Sequence, residues 1–304
     1  MEILGHLFLK IVLMILFGAF LTKKEILGEK LEEGLSDLLL QAILPVSILG
    51  SSQMEFTADV MRGLGISTVI SLLYYVVAFL ISFVLVWLTR TKGGKANIFV
   101  MMNVFANVGF IGMPLSAELY GREGLLYAII YNLVYQIFLS VVGIPLLGKR
   151  KGKVRRNILK DPLIGLSFLA LAFFISPFRF PAVFQETCDT IGNMMTPLSM
   201  MIIGSDLAKE NLKNVFRDKL SYLVCGMRLL VYPLLILWVV KTAGISETIA
   251  MPLIMLTALP CGSLNVILAK QYQCEEKFAS RTVILSMILM VITMPGILYI
   301  AEKF

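Results

Sequence analysis

"NVFANVGFIGMPL", residues 103–115, sits in an apolar run bounded by Lys95 and Glu118. It holds two asparagines, Asn103 and Asn107, two glycines, Gly109 and Gly112, and a proline, Pro114. Proline lacks a backbone donor and its ring crowds the preceding turn, so Pro114 predicts an interruption of the helix. The glycines lower the cost of local unwinding and let a second backbone approach. The asparagines, four apart, are expected to put two amides on one helix face. At membrane depth, unwound backbone is tolerated only against protein or along a watery cavity. If the run spans a bilayer, this stretch predicts a functional break.

The rest of the chain supplies that setting. Of its 304 residues 58% are hydrophobic and only 15% charged, with a mean hydropathy of +0.85. Soluble domains are less apolar and carry more charge. Apolar stretches close to the ~20 residues of a membrane-spanning helix fall at 4–22, 33–53, 64–89, 96–119, 124–147, 158–176, 183–207, 219–242, 248–272 and 279–301. The expected fold class is an all-α polytopic membrane protein with ten transmembrane segments, leaving no room for a soluble domain.

The formal charge of +7 would suit a nucleic-acid partner, but the basic residues are arranged otherwise. Twenty lysines and arginines fall in the connections after segments 1, 3, 5, 7 and 9, against six on the opposite side. Short basic loops stay in the cytoplasm, which predicts a multi-pass protein with both termini extracytoplasmic. The run "KRKGKVRR" (149–156) then reads as a topology determinant facing anionic lipid. Positive charge follows the first apolar run instead of preceding it, unlike a cleaved signal peptide. Cys188, Cys225, Cys261 and Cys274 lack metal or redox spacing and read as packing residues.

The basic linker 148–160 divides the chain into a first five-helix repeat, 1–147, and a second, 161–304. At an offset of 152, Asp37, Pro45 and Ser47 meet Asp189, Pro197 and Ser199, and Ala117, Tyr120 and Glu123 meet Ala269, Tyr272 and Glu275. An odd number of helices per repeat inverts the second copy. Inverted repeats are typical of secondary transporters, whose sites lie where interrupted helices meet. Asp37 and Asp189 then fall near opposite ends and read as interfacial carboxylates.

Segment 9 offers the partner break, "LPCGSLN" (259–265), with Pro260, Gly262, Ser263 and Asn265. The candidate substrate-binding residues are therefore Asn103, Asn107, Gly112, Pro114, Pro260, Gly262 and Asn265. Asn132 and Gln136 of segment 5, and Ser51 beside Ser47 and Ser52 of segment 2, are the further polar candidates. A half-helix beginning at such a break offers free N–H groups and a positive dipole end to an anion. Arg228 is the basic residue well inside a segment, suited to a substrate counter-charge or to a structural pairing. Tyr74, Tyr75, Tyr131 and Tyr135 would line a cavity or pack.

"NVGFIGMP" (107–114), "LAKQY" (268–272), "LPVSILGSS" (44–52) and "TPLSMMIIGSDLA" (196–208) resemble the auxin efflux carrier family, and the resemblance covers essentially the whole chain. It implies two inverted five-helix repeats crossing at Pro114 and Pro260. It also implies a scaffold of segments 1, 2, 6 and 7 and a mobile transport part of segments 3–5 and 8–10. Asn103 and Asn107 would lie at the substrate site, with Ser51 and Gln136 nearby. The implied substrate is a small organic anion, a dicarboxylate such as malonate or malate or an auxin-like acid, moved by elevator-like or rocking alternation across the cell membrane. The long cytoplasmic loop of many plant carriers is missing here.

A sodium or proton antiporter of related crossed-helix form, and a ligand sensor that does not transport, are the alternatives. Segments 4, 5 and 9 carry no central carboxylate for a cation. His6 has no base or ligand cluster around it, and no "GxSxG" or "HExxH" pattern occurs, so neither an enzyme nor a metal site is expected. The expected partners are the organic anion and the lipid bilayer, with no nucleic acid and no cofactor. The coupling ion and a homodimer are left open.

Overall fold

A computed structural model describes residues 2–55, 57–148, 162–209 and 215–303. The run 149–156 and the linker beyond Gly148 lie outside the described residues. The described elements are helical, apart from one isolated antiparallel bridge between Ala106 and Cys261. In chain order they are α1 (Glu2–Lys23), α2 (Glu29–Ser51), α3 (Ala58–Thr89), α4 (Gly93–Val104), α5 (Val108–Leu146) and α6 (Pro162–Ile175). They continue with α7 (Ala182–Gly192), α8 (Met195–Lys209), α9 (Lys219–Thr242), α10 (Glu247–Thr257), α11 (Leu264–Gln271) and α12 (Glu276–Lys303). Among the described residues five helices, α2, α3, α5, α9 and α12, are long and apolar enough to cross a bilayer, and Ile164–Ile175 and α10 are shorter apolar helices. The chain is a polytopic membrane protein.

At 39 residues, α5 is longer than one crossing requires. It bends at Gly121, whose φ of 62° and ψ of −151° are far from helical. That bend separates the apolar stretches expected at 96–119 and 124–147.

Proline placement has a local logic. The π-helical turns Leu39–Ile43, Val108–Gly112, Leu139–Gly143 and Met227–Val231 end two residues before Pro45, Pro114, Pro145 and Pro233. A proline ring in an α-helix collides with the carbonyl four residues back. The wider turn inserts a residue there and moves that carbonyl aside. These prolines are therefore accommodated within helices α2, α5 and α9.

The chain forms two compact units, each drawn from both halves of the sequence. The first comprises Met1–Gly65, Gly109–Ile130 and Leu159–Glu210. In it α1 and α8 approach at backbone distance: a Cβ on Gly18 would strike Met201, and one on Gly204 would strike Ile15. Small residues give membrane helices this close packing. Lys209 Nζ pairs with Glu32 at 2.8 Å, and the Ser205 hydroxyl donates to the same carboxylate. Gln185 donates from Nε2 to the Gly50 carbonyl (3.2 Å) and to Asp189 (3.0 Å), which also pairs with Arg122. Lys10 meets Glu118 at 2.6 Å.

The second unit comprises Ile66–Val108, Tyr131–Ile158 and Asn211–Phe304. The Ser221 and Thr282 hydroxyls join α9 to α12 at 2.8 Å, and Lys95 of α4 donates to Asp218 at 3.3 Å. Of the two uses open to the tyrosines, packing is the one seen. Tyr74 and Tyr75 lie 5.8 and 5.4 Å from Tyr131 by ring centroids, and Phe105 lies 5.2 Å from Tyr135.

Candidate functional site: a crossing of broken helices

α4 ends at Val104, and Phe105 takes an extended conformation (φ −100°, ψ 111°). α10 ends at Thr257, and α11 resumes at Leu264. The two gaps meet inside the second unit. Asn107 N–H donates to the Pro260 carbonyl and Gly262 N–H to the Phe105 carbonyl, both at 3.0 Å, on either side of the Ala106–Cys261 bridge. Two short extended segments thus satisfy each other's backbone groups at a depth where water cannot. Gly262 is required there, because a Cβ would stand 2.7 Å from the Ala106 carbonyl oxygen.

This geometry corrects two expectations. Asn103 and Asn107 do not share a helix face, because the chain leaves the helix between them. The break itself comes at Phe105–Asn107, upstream of Pro114, which sits just after a π turn whose geometry absorbs it. The Pro260 carbonyl takes part in the backbone pairing, while Pro114 belongs to the first unit and accepts a hydrogen bond from Thr196 Oγ1 at 3.2 Å.

The amides are used unevenly. Asn265 Nδ2 donates to the Phe105 carbonyl at 2.9 Å and to that of Met101 at 3.4 Å, so it fastens α11 to the end of α4. Asn103 Nδ2 turns back to the Phe99 carbonyl at 3.1 Å. Both side chains are fully buried, yet neither Oδ1 has a hydrogen-bond partner among the described residues. Asn107 Nδ2 reaches Ser263 Oγ across the crossing at 3.2 Å, at the start of α11. Asn132 and Gln136 are buried on the second part of α5, and Asn132 Nδ2 has no hydrogen-bond partner among the described residues. Ser51 and Gly112 belong to the first unit, where the Ser51 hydroxyl bonds back to Ile48 at 2.7 Å.

One side chain caps the carbonyl end of α4 and holds the segment just after α10. Arg228, wholly buried in the π turn of α9, donates from Nη1 to the carbonyls of Asn103 (2.8 Å) and Val104 (2.9 Å) and to the Tyr74 hydroxyl (2.9 Å). Its Nε donates to the Leu259 carbonyl at 3.0 Å. Helix C-termini leave unpaired carbonyls and carry partial negative charge, and a guanidinium answers both. No spacing in the sequence links Arg228 to Tyr74 or Leu259. Its one legible signal is an ionisable residue deep in an apolar run.

The chain matches the family described as "Membrane transport protein" over residues 4–158 and 151–298. It is 24% identical over 286 residues to an uncharacterized transporter of Methanocaldococcus jannaschii, covering 91% of this chain and 92% of that one. It is 23% identical over 311 residues to the uncharacterized transporter YfdV of Escherichia coli K12, covering 97% and 96%. A Rhizobium meliloti protein named "Putative malonate transporter" is 24% identical over 240 residues, covering 75% and 74%. With the family match running along nearly the whole chain, and with interrupted apolar helices meeting as described, the protein belongs to this membrane transport family, that of the auxin efflux carriers.

Proposed function

We propose that the protein carries small organic carboxylates across the cell membrane by alternating access, binding them at the crossing of α4–α5 with α10–α11. The observation that carries this reading is the antiparallel backbone pair 105–107 with 260–262, set among buried amides. Neutral donors and a helix N-terminus hold a carboxylate without a permanent ion pair, which favours release as well as capture. Asn107 and Ser263, at the start of α11, are the groups best placed to meet the anion, with Asn103, Asn265, Asn132 and Gln136 as the surrounding amides. The relative named for malonate supports a dicarboxylate.

The carrier is read as ten transmembrane segments in two inverted repeats with both termini outside. An elevator-like mechanism is read for it: segments 1, 2, 6 and 7 fall in one unit and 3, 8, 9 and 10 in the other, with segments 4 and 5 divided between the two. A thermal-shift screen of mono- and dicarboxylates on purified protein, followed by uptake of any hit into proteoliposomes, tests the proposal. Saturable uptake supports it. A carboxylate that binds but is never moved would make the protein a sensor, and no binding at all would end the carboxylate reading.

A further inference from the structure

In transporters with broken helices, unwound carbonyls and half-helix C-termini are the groups that coordinate a coupling cation. Here that arrangement is already filled by a side chain. The carbonyls of Asn103, Val104 and Leu259 and the Tyr74 hydroxyl converge on the guanidinium of Arg228. Among the described residues no carboxylate ion-pairs with it. Three carbonyls, two at the end of α4 and one just after α10, and a hydroxyl are an oxygen set of the kind an alkali cation takes. The guanidinium is wholly buried, and arginine stays protonated even there.

We infer that Arg228 does the work of a coupling cation: it is a tethered positive charge that neutralises the two helix ends at the crossing, so the protein needs no sodium to assemble its site. Nη2 has no hydrogen-bond partner among the described residues, so the carbonyls and the Tyr74 hydroxyl are held by Nη1 and Nε. The inference extends the proposal of a carboxylate carrier, but its structural half stands apart from transport. Arg228 is a positioning residue for the helix ends.

The test uses the purified full-length protein, melted in sodium chloride and in choline chloride at equal ionic strength. The wild-type melting temperature should be the same in both, and a saturable stabilisation by sodium would overturn the inference. Arg228→Gln, which removes the charge and keeps much of the volume, should melt lower. It should then gain a saturable rise of about 5 °C or more with sodium or with millimolar guanidinium, but not with choline. A variant as stable as the wild type and indifferent to all three salts would overturn the inference.

Should Arg228→Gln fail to fold, Arg228→Lys restores a charge at the same place. It should fold and ignore sodium, and a sodium-stabilised lysine variant would count against the inference. In proteoliposomes, uptake of a bound carboxylate should proceed at the same rate in sodium and in choline. Sodium-driven accumulation would overturn the role of Arg228 while leaving the carrier intact. Absence of uptake for every carboxylate would overturn the carrier, and the melting measurements would still decide the role of Arg228.

Discussion

Gly262 donates its N–H to the Phe105 carbonyl at 3.0 Å, and its α-carbon lies so near Ala106 that a Cβ would stand 2.7 Å from that residue's carbonyl oxygen. The obstacle is backbone, which cannot rotate away as a side chain would. Gly262→Ala should therefore spread the antiparallel pair and lower stability by about 1–3 kcal/mol, in the range of overpacked interiors. Thermal denaturation in detergent measures this. Carboxylate binding should fall with it, because the same pair positions Asn107 and Ser263. An alanine variant that melts and binds like the wild type would show that the crossing is looser than these distances.

Gly121 should fail for the opposite reason. A Cβ there would meet nothing within 4 Å, so space is not limiting. Its φ of 62° and ψ of −151° lie in a region that is essentially reserved for glycine. Gly121→Ala should cost roughly 1–3 kcal/mol through backbone strain alone. The signature separating the two glycines is a double variant with Gly262→Ala, whose losses in melting experiments should add, since the residues lie in different units and share no partner.

The contrast between these glycines also shows what the sequence made legible. Hydropathy marked the chain as a multi-pass membrane protein, and the cluster 259–265 marked the second break, because a membrane forbids such residues without a reason. What one-dimensional spacing could not supply was the partner. Pro114 attracted the break because proline usually ends a helix, yet a π turn absorbs it, and the chain opens at Phe105, where another extended segment accepts and donates its hydrogen bonds. Likewise, Asn103 and Asn107 looked like one helix face until the chain left the helix between them. Arg228 was visible as an anomaly, but its role depended on carbonyls more than 120 residues away, which no local pattern encodes.

Arg122 and Asp189 give a control for charge. Their side chains are 40% and 41% exposed, so neither is desolvated as the wholly buried Arg228 is. Arg122→Gln should change stability by no more than about 1 kcal/mol, as for other exposed pairs. The same substitution at the buried Arg228 should cost clearly more, because it leaves carbonyls at the end of α4 and just after α10 without their donor. Melting the two variants side by side checks this. Equal losses would mean that the helix ends are relieved by water.

The last prediction separates an amide that builds the crossing from one that serves the ligand. Asn265 spends its donor on the carbonyls of Phe105 and Met101, all of it buried. Asn265→Ala should thus destabilise the fold by about 1–3 kcal/mol, the cost of losing buried hydrogen bonds that fasten α11 to the end of α4. Asn107 instead bonds to the Ser263 hydroxyl at the start of α11, a group that rotates to other partners. Asn107→Ala should leave the melting temperature nearly unchanged and weaken binding of a carboxylate by roughly tenfold, the worth of one hydrogen bond to a charged group. Asn107→Asp, of the same shape but bearing the same negative charge as the ligand, should weaken it further. The check is a titration of each purified variant with the carboxylate that binds the wild type. Affinities that match the wild type in both Asn107 variants would remove this residue from the site, and a large loss of stability in Asn107→Ala would place it with Asn265 among the residues that hold the two breaks together.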